Sequence, residues 1–191
     1  MTVTTLIGNP RTGSRTRTAA LRLAHRIAEE TGTPHPARTG NGERAAGIDL
    51  AGFGPSLLEP GPPAPVARAL DAVRGTDLLV VASPTYKATY TGLLKVFADL
   101  LPSGALGGVT AVPVLVMASP AHAFAVDAHL RPLLLELGAD VPAPGLALLQ
   151  DDIDADPGAP DGPAPRLDRA LDAWLAEAAP ALRAASRSPA P

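Results

Sequence analysis

The stretch Gly8-Asn9-Pro10-Arg11-Thr12-Gly13-Ser14-Arg15-Thr16 combines the residue types that hold a phosphate. It follows a short apolar run, Val3 to Ile7, and leads into Ala20, Leu23, Ala24, Ile27 and Ala28 at helical spacing. A helix that starts here leaves backbone N–H groups pointing outward, and its dipole favours negative charge at that end. Ser14 and Thr16 add hydroxyl donors, and Arg11 and Arg15 can meet a dianion with forked guanidinium contacts. A plainer reading has Ser14 capping the helix and the arginines facing solvent. The loop matches neither common nucleotide fingerprint. GxGxxG needs glycine where Pro10 stands, and GxxxxGK[ST] fits Gly8 to Gly13 but then reads Ser14-Arg15. With no lysine placed for a γ-phosphate, the cargo expected is a single terminal phosphate rather than ATP.

A second cluster, Ser83-Pro84-Thr85-Tyr86-Lys87-Ala88-Thr89-Tyr90-Thr91, precedes another amphipathic stretch. Pro84 stiffens the turn, so the backbone amides of Thr85 to Lys87 are expected to approach a planar ligand. Tyr86 offers an aromatic wall and a hydroxyl, and Tyr90 lies four residues on. In a chain with 3% aromatic residues, two tyrosines this close carry weight. The alternative is a helix start whose tyrosines pack on a neighbour.

Apolar runs alternate with helical patterns along the chain, as in βαβ units. Strands are predicted at Val3–Ile7, near Ile48–Leu50, at Leu78–Ala82, Val112–Ala118 and Leu146–Leu149. Helices are predicted after Ser14 up to Thr31-Gly32, over 65–74, over 93–101, from Ala121 to Leu137 and over 163–186. Pro113 cannot donate to a ladder, so the hydrogen-bonded part of its strand is expected to begin after it. Residues 33–47, 52–63 and 157–165 read as loop or linker. The pattern predicts one α/β domain over 1–186, with a disordered tail at 187–191. Its architecture is a flavodoxin-like, doubly wound, five-stranded parallel sheet of order 2-1-3-4-5, with helices on both faces. In that order ligands bind beyond the carboxyl ends of strands 1 and 3. Both clusters follow those two strands directly.

The pair GNPRTGSRT and SPTYKATYTGLLKVFADLLP resembles the NADPH-dependent FMN reductase family, most closely its alkanesulfonate type. The run from Ala121-His122 through Ala125-Val126-Asp127 to Leu137-Gly138-Ala139 is similar to the family's fourth helix. The likeness covers roughly residues 3–150. It implies that Asn9, Arg11, Ser14, Arg15 and Thr16 hold the FMN phosphate, and that Pro84, Thr85, Tyr86 and Lys87 line the ribityl chain and one edge of the ring. Ala118 and Ser119 would then flank the ring from the loop after the fourth strand. There the family has a Gly-Gly pair and this chain reads Met117-Ala118-Ser119-Pro120, so side chains would crowd the flavin or alter the backbone. The resemblance also implies a π-bulge and an oligomer contact at Tyr90. It further implies a homodimer or homotetramer, FMN with NADPH (or NADH) as cofactors, and delivery of reduced FMN to a partner monooxygenase.

Composition narrows the classes. A net charge of −3 gives no basic surplus for nucleic acid, and zero cysteines excludes a disulfide frame, a thiolate nucleophile or an iron–sulfur centre. No run approaches the roughly 20 apolar residues of a membrane span. The N-terminus enters a strand directly, and a cytoplasmic location is expected. His122 and His129 share a helical face without an acidic companion, so no metal site is expected. The acidic run Asp151, Asp152, Asp154, Asp156 lacks the glycine and glutamate of a calcium loop. The function expected is an NAD(P)H-dependent FMN reductase. The alternatives are a reductase that retains FMN and serves quinones, azo dyes or chromate, and a non-enzymatic flavodoxin-type electron carrier.

Overall fold

The computed structural model describes residues 2–32, 47–153 and 164–185. The tail at 187–191, most of the 33–47 stretch and part of the 157–165 linker lie outside them. Five parallel strands run β1 Val3–Ile7, β2 Ile48–Asp49, β3 Leu78–Pro84, β4 Thr110–Met117 and β5 Leu146–Leu149, in the spatial order β2-β1-β3-β4-β5. This is the sheet expected of a flavodoxin-like fold. All seven residues of β3 are buried, because helices cover both faces of the central strand. Along β1 the side chains alternate: Val3 and Ile7 enter one apolar layer and Leu6 the other.

The helices are α1 Arg15–Thr31, α2 Ala64–Arg74, α3 Gly92–Asp99, α4 Arg131–Glu136 and α5 Pro165–Ala185. α1 buries Ala20, Leu23, Ala24 and Ile27 on the same side as Leu171, Trp174 and Leu175 of α5. On the opposite face α2 contributes Val66, Leu70 and Val73, α3 contributes Leu94 and Phe97, and α4 contributes Leu134. Arg22 adds a two-pronged bond from α1 to Asp168 of α5, at 2.5 and 2.7 Å.

Pro113 lies inside β4 rather than before it, and the ladder explains why. The Thr110 N–H donates to Asp77 O on the β3 side, whereas the Ala111 N–H donates to Asp140 O on the other. With a period of two, the Pro113 nitrogen also faces away from β3. β5 pairing starts at Val114 with Leu146. Stepping that register back sets Pro144 O opposite Pro113, and this carbonyl accepts instead from the Trp174 indole N–H at 3.0 Å. The proline therefore leaves no facing carbonyl unpaired.

The helix predicted over 121–137 is broken. A 3-10 turn covers Pro120–His122 and a π-turn covers Val126–Leu130, with the Arg131 N–H reaching back five residues to Val126 O before α4 proper begins. In a regular helix the Pro132 ring would press on the carbonyl of Ala128, and a widened turn relieves that clash. The π-bulge expected at Tyr90 is not there. Tyr90 precedes α3, because Thr91 takes extended backbone (φ −70°, ψ 151°) and caps the helix, leaving no helical turn to widen.

Pro113→Ala is expected to change the free energy of unfolding by no more than about 1 kcal/mol in urea titration. Val112→Pro, which deletes a donor aimed at β3, should prevent folding. Equal effects of the two changes would contradict the ladder assignment.

Candidate functional site

The loop between β1 and α1 is built from within. Asn9 is buried, its Oδ1 accepting from the Arg11 N–H at 2.9 Å while its Nδ2 donates to Thr16 Oγ1 at 3.0 Å. Ser14 caps α1 by accepting from the Arg17 N–H at 3.3 Å. Gly13 takes φ +61°, a conformation costly for side-chain-bearing residues, and turns the chain into the helix. These bonds leave the N–H groups of Thr12, Gly13, Arg15 and Thr16 without a partner among the described residues. The Arg11 and Arg15 side chains are exposed and make no ion pair there. Asn9 and Thr16 thus shape the cradle, while the two arginines and the free amides face outward from it.

Beside this cradle β3 ends in a tight hairpin. The Tyr86 N–H donates to Thr89 O at 2.9 Å, and the Thr89 N–H returns to Tyr86 O at 3.3 Å. The two residues between them, Lys87 and Ala88, have φ +54° and +61°, the non-glycine residues with positive φ among those described. A turn of this hand ordinarily uses Asn-Gly. Its rigidity corrects one expectation: the amides of Thr85 and Tyr86 are not available to a ligand, since Thr85 N–H donates to Val116 O at 2.8 Å. Only the Lys87 and Ala88 amides at the tip stay unpaired among the described residues. Of the two lysines in the chain, Lys95 bonds to Asp99, whose carboxylate raises its pKa, and it points away on the exposed side of α3. Lys87 is exposed and has no carboxylate partner among the described residues.

The two clusters meet through residues that sequence reasoning passed over. Thr91 Oγ1 donates to Gly8 O at 2.5 Å and accepts from the Leu94 N–H at 3.2 Å, and the Thr91 N–H donates to Ser83 Oγ at 3.0 Å. Gly8 is held so close that a Cβ there would lie 2.7 Å from Leu94 Cβ. Serine and threonine following a strand were the available signal, but the partners lie far apart in sequence.

On the other flank Thr85 Oγ1 donates to Val116 O at 3.1 Å, drawing the end of β4 alongside. Ala118 is exposed and Ser119 half-buried just beyond β4, with Ser119 Oγ accepting from the Ala121 N–H. Met117 is buried, and no residue from 117 to 120 takes positive φ. The backbone here does not need glycine, and Ala118 presents only a methyl group. Pro84 is buried at the end of β3, Tyr86 is 45% exposed, and Tyr90 is half-buried against the α3 layer. The structure thus gathers Asn9 to Thr16, Pro84 to Lys87 and Ala118–Ser119 at the carboxyl edge of β1, β3 and β4.

A family model described as NADPH-dependent FMN reductase matches residues 1–152. FMN reductase (NADPH) of Escherichia coli (strain K12) is 44% identical over 69 residues, 36% of each chain. NADH-dependent FMN reductase SfnF of Pseudomonas putida is 45% identical over 64 residues, 34% of each. The matched stretch spans about a third of the length of these curated relatives. Among solved structures, the apo form of NADH:FMN oxidoreductase (EMOB) aligns with a TM-score of 0.64 and 30% identity, covering 93% of this chain and 89% of that one.

Replacing Lys87-Ala88 by Asn-Gly is expected to raise the stability of the ligand-free protein by about 1–2 kcal/mol in urea unfolding, by relieving two left-handed residues. A loss of stability would show that the turn is not strained.

Proposed function

The chain belongs to the NADPH-dependent FMN reductase family, and from that premise we propose that it reduces FMN with a nicotinamide dinucleotide. One observation carries the reading. Four amides and two exposed arginines without partners among the described residues lie at the start of α1, beside a rigid hairpin at the point where the strand order reverses. A phosphomonoester needs such donors and cations, and the flat ring that it is tethered to needs a firm edge beside them.

Bound FMN supplies the hydride-accepting ring nitrogen, so no protein nucleophile is required. The chain contributes grip and alignment. Arg11 and Arg15, with the amides of Thr12, Gly13, Arg15 and Thr16, hold the phosphate dianion, and the Ser14 hydroxyl adds a donor. Asn9 and Thr16 keep the loop in its binding shape. Pro84, Thr85 and Tyr86 flank the ribityl chain and one ring edge, and the Lys87 and Ala88 amides offer hydrogen bonds to the pyrimidine end. Ala118 and Ser119 bound the other edge.

We read residues 1–186 as one working unit, because α5 packs on α1 beyond the matched segment. The sequence resemblance implies a homodimer or homotetramer that hands reduced FMN to a partner monooxygenase, and we propose both. No helix among the described residues is long and apolar enough to cross a membrane.

Purified protein should oxidise NADPH or NADH rapidly when free FMN is supplied; if neither nucleotide is consumed with FMN present, the reading fails. Arg11→Ala should weaken FMN binding by about 10- to 100-fold, from roughly 1.5–3 kcal/mol for a charge-assisted bond, with unchanged circular dichroism and Tm. Unaltered FMN affinity would remove Arg11 from the site.

A further inference from the structure

Among the described residues four large apolar side chains are exposed: Leu58, Tyr86, Phe124 and Leu135. Two of them are aromatic. Tyr86 stands on the connection leaving β3 and Phe124 on the connection leaving β4, and these start side by side, tied by the bonds of Thr85 to Val116 O. Phe124 is 56% exposed, yet its ring is not loose. The His129 ring lies 5.8 Å away, centroid to centroid, at an interplanar angle of 80°. Such an edge-to-face pair is attractive and fixes the tilt of both rings.

The pair sits where the chain enters the π-turn: the Ala128 N–H closes a four-residue bond to Phe124 O at 2.9 Å, and His129 lies within the widened Val126–Leu130 turn that follows. His129 Nδ1 is buried without a hydrogen-bond partner among the described residues, so backbone and packing hold that side of the imidazole. The turn itself is clamped. Arg131 donates to Asp127 Oδ1 at 2.7 Å, to Val141 O at 2.8 Å and to Ala143 O at 2.6 Å, and the Gly145 N–H donates to Asp127 Oδ1 at 3.2 Å. An exposed ring held this firmly at a ligand-bearing edge offers its surroundings a flat π face.

We propose that Phe124, oriented by His129, is the stacking platform for the nicotinamide ring of the dinucleotide; this rests on the reductase reading above. A ring face carries negative quadrupole density and attracts a cation laid on it. The oxidised nicotinamide is a pyridinium cation and the reduced one is neutral, so the platform favours the oxidised nucleotide. His129 acts as a positioning residue through Phe124.

The test is calorimetric binding of NADP⁺ and NAD⁺ to FMN-saturated protein, with FMN affinity, Tm and solution mass measured alongside. Phe124→Ala should weaken the nucleotide that wild type binds by about five- to tenfold, with FMN affinity and Tm unchanged. Phe124→Tyr should retain wild-type affinity. His129→Ala should raise KM for the reduced nucleotide while leaving kcat at saturation near wild type. Unchanged nucleotide affinity in Phe124→Ala overturns the inference, as does a fall in oligomeric mass, which would make the ring a contact between copies. Wild-type protein that binds FMN but neither nucleotide also overturns it. If wild type fails to bind FMN, the reductase reading falls first and this inference with it.

Discussion

One buried hydroxyl joins the two halves of the site. Thr91 is 2% exposed, and its Oγ1 donates to the carbonyl of Gly8, the first residue beyond β1, while it caps α3. Its backbone N–H is fixed in turn by Ser83, fully buried near the end of β3. The loop after β1, the end of β3 and the start of α3 are therefore one rigid piece. Removing the hydroxyl would strand a buried carbonyl and a helix-start amide, each worth about 1–3 kcal/mol. Gly8 allows the approach, since Leu94 occupies the space a side chain would need. A phosphate cradle on one side and a ring edge on the other must keep a set distance, and this knot sets it.

Preorganisation recurs at smaller scale. Asn9 uses both ends of its amide inside the loop, so the outward amides are already aimed before any anion arrives. Lys87 and Ala88 sit in left-handed backbone that costs each of them of order 1 kcal/mol, held by two hairpin bonds. Strain maintained at a crevice is a mark of a surface shaped for something other than stability. The π-turn ahead of α4 belongs to the same class: Pro132 forces the widening, and Arg131 clamps what results to the loop before β5.

Much of this was legible in the residue types. The unbroken apolar run at Leu78–Ala82 marks a strand buried on both faces, and alternating runs and helical patterns are enough for the sheet order. Ser14 as a cap and Arg11 with Arg15 as exposed cations follow from local chemistry. What was not legible depends on distant or atypical partners. Nothing in Lys-Ala signals a turn that ordinarily takes Asn-Gly. Thr91 is visible as a member of the cluster after the third strand, but its bond to Gly8 spans 83 residues. Pro113 looks excluded from a ladder until the direction of its nitrogen is known, and Trp174 supplies the donor that proline lacks. The π-turn was expected one helix too early, at Tyr90, because a resemblance carries a feature without its physical cause. Here that cause is Pro132.

The most direct measurement is FMN binding, by fluorescence quenching, to Thr91→Val and Thr91→Ser in folded protein of known Tm. If Thr91 holds the two rims in register, the valine variant binds FMN at least about tenfold more weakly, the equivalent of roughly 1.4 kcal/mol, and the serine variant binds nearly as wild type. A folded valine variant with wild-type FMN affinity would contradict the claim that this hydroxyl sets the geometry of the site.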